Sequence, residues 1–359
     1  MSQNVSGEQT FMPGRAIRLF HVAVIGLGCL LAGAGLGWLL RGPAPVAART
    51  EPAPGTMTRL GGYRFVGPLL ECDLAAVSSV LALDRLRDTL LDTIHRRKTL
   101  GITSHVSVYF RDLNSTAELG IDEAEVFSPA SLFKVPVLMA ALRAAEKDST
   151  ILDRQSVFDV TEANVMHQNI RPRRELTLGQ SYTLWAYLEQ MIIESDNRAT
   201  SKVAEFISPA DYRRIFQDVG VPVPSLDGGD SDVTVAQYAS FFRILYNASY
   251  LGPEMSERAL ALLSRIRFVA GLVAGVPAGI PVAHKFGERR YTGGPTVANQ
   301  LHDCGVVYFP GRPYLLCLMT RGQDVDALAQ TLRELSAQVY QHIQGAVLRQ
   351  GALAVSSAL

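Results

Sequence analysis

Residues 128–134 read SPASLFK. The stretch sets Ser131 and Lys134 three positions apart where a helical pattern begins, so both fall on one helical face. Two readings compete. Ser131 is an ordinary helix cap beside a solvated lysine, or it is a nucleophile whose proton passes to Lys134. A lone Ser-x-x-Lys occurs about once by chance in a chain this long, so the heptapeptide alone does not decide. The chemistry is feasible, because a hydroxyl there sits at the positive end of the helix, where backbone N–H groups point outward. The apolar neighbours Phe127, Phe133, Val135 and Val137 would also push a lysine toward its neutral form.

Two later stretches matter beside it. IIESDNRAT carries Ser195, Asp196 and Asn197 at the end of an apolar helical run, a composition equally at home at a helix terminus. In AHKFGERR a strand-like run ends in Lys285, followed by Phe286 and by Gly287, a residue that lets a ligand approach the backbone.

Around these motifs the chain alternates in character. LAAVSSVLALDRLRDTLLDTIHRRK, residues 74–98, has helical spacing. HVSVYFRDL, 105–113, reads as a strand and TAELGI as its hairpin partner. A helix is expected from Ser131 to about Lys147, then a mostly helical region over 151–270, broken at SPADY, VPVPSLDGGD and LGPE. IPVAHKFGE and HDCGVVYFPGRPYLLCLMT add three strands, the last two around a Pro-Gly-Arg-Pro turn, and a final helix spans about 325–348. Strands from both ends and helices between them predict an α+β fold: one antiparallel sheet built from both termini, with an inserted all-helical subdomain at about 151–270. Pairing Phe309 with Tyr314 offsets Cys304 from Cys317, so these two are expected as buried free thiols.

In this order, Ser131-x-x-Lys134, Ser195-Asp196-Asn197 and Lys285-x-Gly287 resemble the active-site set of class A β-lactamases, within the penicillin-interacting serine enzymes. The resemblance covers roughly residues 70–350 and shares the α+β layout. It implies Ser131 as acylated nucleophile, Lys134 as its proton partner and Ser195 as a relay toward the leaving nitrogen. It further implies Asn197 as a ligand of substrate and of Lys134, and Lys285 as the positive charge behind the relay. The N–H groups of Ser131 and Glu288, the latter beside Gly287, would form an oxyanion hole. The set depends on no cofactor and no metal. Its partner is a small-molecule or peptide acyl substrate.

The sequence departs from that family in two places. No Glu-x-x-Leu-Asn segment, which would supply the base for deacylation, occurs in 198–284. Asp227, Asp230 and Asp232 stand there instead and read as a solvated turn before a helix near Thr234. Phe286 replaces a threonine that would bind a substrate carboxylate; Arg289, Arg290 and Arg321 are candidate substitutes. His284 reads as a strand residue with a satisfied partner.

The N-terminal segment, residues 1–62, is different in kind. LFHVAVIGLGCLLAGAGLGWLL, 19–40, has no charged residue and the length of a bilayer span. It divides the chain into a short cytoplasmic N-terminus at 1–18, a transmembrane anchor at 19–40, a Pro/Ala-rich tether at 41–62 and a hydrolase domain at 63–359. A cleaved signal peptide ending near APVAA is the other reading of this segment. Lysine plus arginine balances aspartate plus glutamate at 34 each, and no basic stripe with aromatics appears, so nucleic-acid binding is not expected. The expectation is a monomeric, single-pass membrane-anchored serine hydrolase with its catalytic domain outside the cytoplasm, acting on β-lactams or related amides. A D,D-peptidase-like cell-wall enzyme or a slowly deacylating penicillin-binding sensor is the alternative.

Overall fold

The computed structural model describes residues 57–72, 80–115, 117–165, 168–223, 232–291 and 298–356. The apolar run at 19–40 and Asp227 and Asp230 lie outside them. Among the described residues no helix is long and apolar enough to cross a membrane. The last residues of the expected tether belong to the folded unit. Strand β1 (Met57–Arg59) pairs with β2 (Leu69–Cys72), and Arg59 donates to Asn247 Oδ1 while lying over the Tyr246 ring.

Helix α1 (Val80–Thr99) is followed by the hairpin β3 (Thr103–Asp112) and β4 (Glu118–Ile121), as the alternation predicts. Two-residue β5 (Val126–Phe127) leads into the turn before helix α2 (Lys134–Lys147). The expected helix at Ser131 starts three residues late. Ala130–Phe133 form a 3₁₀ turn, with Ala130 at φ 49°, and the α-helix begins at Lys134. Pro136 is tolerated because it sits in the first turn, where its missing N–H costs nothing.

The expectation of helix from 151 onward fails over its first third. A 3₁₀ turn at Ser149–Asp153 gives way to the ribbon of β6 (Gln155–Val157) and β7 (Ser181–Thr183). Between these strands, Pro172 and Gly179 interrupt the helical register. The helical subdomain proper comprises α3 (Leu184–Ile193), α4 (Asn197–Ala204), α5 (Pro209–Val219), then β8 (Val233–Thr234), α6 (Val235–Tyr246) and α7 (Pro253–Leu263). Thr234 and Gln237 form a capping box on α6.

Strands β9 (Val282–Tyr291), β10 (Ala298–Val307) and β11 (Tyr314–Gly322) then join the first hairpin. The result is a five-stranded antiparallel sheet in the order β4-β3-β11-β10-β9, with β9 at one edge. Helix α8 (Val325–Ser356) closes the chain. Every residue of β11 is buried, because both faces of the sheet are covered. On one face Leu86, Leu90 and Ile94 of α1 and Leu328, Leu332 and Leu335 of α8 meet Val106, Val108 and Phe110. The other face joins the helical subdomain through Phe127, Leu132, Val135, Tyr238 and Phe242.

The free-thiol expectation is wrong. Cys304 and Cys317 are bonded in a disulfide between β10 and β11. Tyr314 pairs with Val307 rather than with Phe309, which moves the register by two residues and sets the cysteines directly opposite. Past Val307, Tyr308 N–H still donates to Pro281 O in the β9 register, but Pro281 has no N–H to return and Pro310 none to give, so regular pairing ends there.

Candidate active site

The four motif side chains come from the 3₁₀ turn, the start of α2, the α3–α4 junction and β9, and they converge on one point. Lys134 is fully buried, and four oxygens surround its amine. Ser195 O lies at 2.5 Å, Asn197 Oδ1 at 2.7 Å, Ser131 Oγ at 3.1 Å and Ser195 Oγ at 3.2 Å. An ammonium has three protons and so cannot donate to all four. The two nearest oxygens only accept. A neutral amine can give its two protons to Ser195 O and Asn197 Oδ1 and turn its one lone pair to a single hydroxyl at a time, that of Ser131 or of Ser195. Burial favours that form, lowering the Lys134 pKa to about 7 against the opposing charge of Asp196.

Lys285, also fully buried, donates to Ser195 Oγ at 2.9 Å and to Phe286 O at 3.0 Å. Burial first, and the neighbouring Lys134 second, hold its pKa well below the usual lysine value, with Asp303 opposing. The two amines thus share the Ser195 hydroxyl.

The backbone is shaped to serve this meeting. Ser195 sits at φ 59°, a left-handed conformation costing roughly 1–3 kcal/mol for a residue with a Cβ, and it presents both its carbonyl and its hydroxyl to Lys134. Asp196 caps α4 through Arg198 N–H, and its carboxylate also takes a bond from Gln190. The helix-terminus reading of Ser-Asp-Asn is therefore correct as well, and it is what places Asn197. Gly287 brings β9 against the turn that carries Ser131: a Cβ there would lie 2.7 Å from Pro129 O and 3.1 Å from Leu132 N. Tyr238 of α6 donates to Leu132 O at 2.8 Å and pins the same turn, a contact that nothing in the sequence signalled.

The residues named as departures have definite places. Phe286 is buried and stacks on Phe268, with ring centroids 4.4 Å apart. Arg321 donates to Glu125 and to Val126 O, Arg289 donates to Ser128 Oγ, and Arg290 is exposed. His284 has the satisfied partner expected, Asp303 Oδ1 at 2.7 Å. Nothing in the sequence signalled the partners of the Glu288 side chain, which accepts from Asn169 N–H and Ile170 N–H. Sequence reasoning also missed Gln168, whose Oε1 accepts from Asn197 N–H at 3.3 Å. Gln168 lies on a loop with no periodic pattern, and Glu288 on the edge strand β9. Among the described residues no cluster of His, Cys, Asp and Glu could hold a metal ion.

The profile of the Beta-lactamase enzyme family matches residues 93–343. The chain belongs to that family. Like its other members it is a serine hydrolase. The fold of this β-lactamase-family chain is shared by PBP-A, at 23% identity over 73% of this chain and 97% of that one, with a TM-score of 0.62. A variant of PBP-A captured as an acyl-enzyme complex with penicillin G superposes with a TM-score of 0.60, at 23% identity and with 73% and 97% of the two chains covered. A class A β-lactamase from Mycobacterium abscessus gives 0.59 at 20% identity, covering 72% of this chain and 99% of that one. No curated protein sequence matches the chain.

Proposed function

We propose that the protein hydrolyses β-lactams or related amides and peptides through a covalent acyl-enzyme at Ser131. The observation that carries this reading is the amine of Lys134, within 3.1 Å of Ser131 Oγ and held in an environment that favours its neutral form. In the acylation step Ser131 Oγ bonds to the carbonyl carbon and its proton moves to Lys134 Nζ. The carbonyl electron pair moves onto oxygen, where the N–H groups of Ser131 and Glu288 would receive it. As the tetrahedral species collapses the C–N bond breaks. The leaving nitrogen takes a proton from Ser195 Oγ, which the shared lysines restore. Water then attacks the ester and returns Ser131.

The missing Glu-x-x-Leu-Asn segment favours slow completion of that last step, since the water has no dedicated carboxylate. A cell-wall D,D-peptidase or a long-lived acylated sensor fits this feature equally well. Location outside the cytoplasm, on the single membrane anchor at 19–40, is supported by the Cys304–Cys317 disulfide, a bond that persists in oxidising compartments.

The test is intact-mass spectrometry of the protein mixed with benzylpenicillin, followed over time beside Ser131→Ala. A persistent adduct absent from Ser131→Ala is expected. A rapidly clearing adduct with antibiotic consumed would instead make the protein an efficient lactamase, and an adduct retained in Ser131→Ala would refute the nucleophile.

A further inference from the structure

Helix α2 carries Pro136 in its first turn. A proline there wastes no donor, but it leaves a gap on the acceptor side. In an α-helix the N–H at 136 would bond to the carbonyl four residues earlier, Leu132 O, and Pro136 has no N–H. Lys134 N–H reaches Leu132 O only as a bond shared with Ser131 O. Leu132 directly follows Ser131 and has no exposed surface, so bulk water does not complete its carbonyl.

The missing donor comes from 106 positions away. Tyr238 Oη, buried in α6, donates to Leu132 O at 2.8 Å. Burial, with the charge of Asp303 second, holds this phenol well above its ordinary pKa, so it stays a donor throughout the range in which Lys134 titrates. Two short strands fix its delivery. β5 leads into the turn of Ser131 and β8 into α6, and they pair with each other, Val126 with Thr234 and Phe127 with Val233. The capping box of Thr234 and Gln237 then sets the first turn of α6, from which Tyr238 projects. On β9, Gly287 lies against the same residue: a Cβ there would be 3.0 Å from Leu132 Cγ and 3.1 Å from Leu132 N. Leu132 is thus held by α6 and by β9.

We infer that Tyr238 is a positioning residue for the reaction at Ser131: its hydroxyl supplies the hydrogen bond that Pro136 withholds from Leu132 O, and so keeps the nucleophile and its N–H in register with β9. The inference rests on the acyl-enzyme reading of Ser131. It adds a residue that acts through Leu132 rather than on the reacting atoms. Tyr238→Phe removes one oxygen and keeps a ring beside Phe241 and Phe242, so the loss is confined to the bond.

The experiment is a double-mutant cycle of Tyr238→Phe and Pro136→Ala, read by intact mass as benzylpenicillin acylates Ser131 over a range of concentrations. The Ser131 Oγ–C bond forms, the lactam C–N bond opens and the nitrogen takes up a proton, so the whole antibiotic stays on the serine. The concentration dependence separates the limiting rate of acylation from the affinity of the preceding complex. Rates are counted per folded molecule, checked by thermal unfolding. Tyr238→Phe should lower the limiting rate about tenfold, as for a reacting group displaced by a fraction of an ångström, and leave the affinity near that of the wild type. Pro136→Ala gives position 136 an N–H for Leu132 O, so Tyr238→Phe made in that background should slow acylation only about twofold. General loosening of the fold would not be repaired in this way. An unchanged limiting rate in Tyr238→Phe, a loss carried by affinity instead, or an equal loss with and without Pro136→Ala would overturn the inference and leave the acyl-enzyme standing. A wild type on which penicillin forms no adduct at Ser131 would overturn the acyl-enzyme reading, and the inference with it.

Discussion

Strand β9 carries buried ionisable groups on both faces, and the two sets are built on opposite principles. Behind the strand, His284 meets Asp303, whose second oxygen accepts Leu272 N–H at 2.9 Å, so donors are matched to acceptors throughout. In front of it, Lys285 meets Lys134 across a shared hydroxyl, two amines of the same potential charge with no carboxylate in direct contact. The first arrangement ties the 268–275 segment to the sheet and satisfies every buried group it uses. The second suppresses charge that lysines ordinarily keep, and it adds the left-handed Ser195 to the cost. Folding alone gives no reason to bury two lysines together. A reaction that needs a neutral amine beside a serine does.

The contrast can be broken first at its reactive end. Lys134→Met should slow acylation of Ser131 by about 10²–10⁴-fold, the usual worth of a positioned base, without loss of thermal stability. The folded Lys134 gives up its proton near pH 7 and the unfolded one near 10.5. The unfolded chain therefore binds more protons across that window, and wild-type stability should rise with pH there. The variant should lose the part of this slope that Lys134 contributes and keep the part due to Lys285 in urea titrations. A destabilised Lys134→Met that still acylates normally would mean that the amine is structural.

At the other end, Asp303→Ala should cost about 3 kcal/mol in urea unfolding, because it strands a buried imidazole and a backbone N–H. Its effect on acylation should be the smaller one, acting only through the charge Asp303 lends to Lys285. Equal damage to rate and stability would erase the distinction between the faces. The smallest effect belongs to the disulfide. Opening it by Cys304→Ser with Cys317→Ser releases a loop with a sequence separation of 13 and should cost about 2 kcal/mol. Acylation by the folded fraction should be unchanged, because Cys304 lies beside Lys285 in the ladder but contacts no catalytic oxygen.

The sequence made the sheet and the reactive residues legible for different reasons. The strands declared themselves by β-branched alternation in 105–113 and by the apolar run YLLCLM in β11. Ser131, Lys134, Ser195, Asn197 and Lys285 were legible only as an ordered set, since each motif alone also describes a cap, a turn or a strand end. Register was harder. Whether Cys304 faces Cys317 depends on which residue closes the β10–β11 turn: Val307 rather than Phe309 meets Tyr314, a choice of loop length that the Pro-Gly-Arg-Pro stretch does not mark. The links of residues 168–170 to Asn197 and Glu288 were equally illegible, because Gln168 and Glu288 are ordinary polar residues until the fold brings their partners close. Tyr238 pinning Leu132 across 106 positions is a third example.

The most direct test of the central claim is the pH dependence of the acylation rate at Ser131, read by intact mass with benzylpenicillin at short times. If Lys134 takes the serine proton, the rate should rise about tenfold per pH unit at low pH and level off near pH 7, where the buried amine becomes neutral. A rate independent of pH through that region, or one still climbing toward the ordinary lysine value of 10.5, would contradict it.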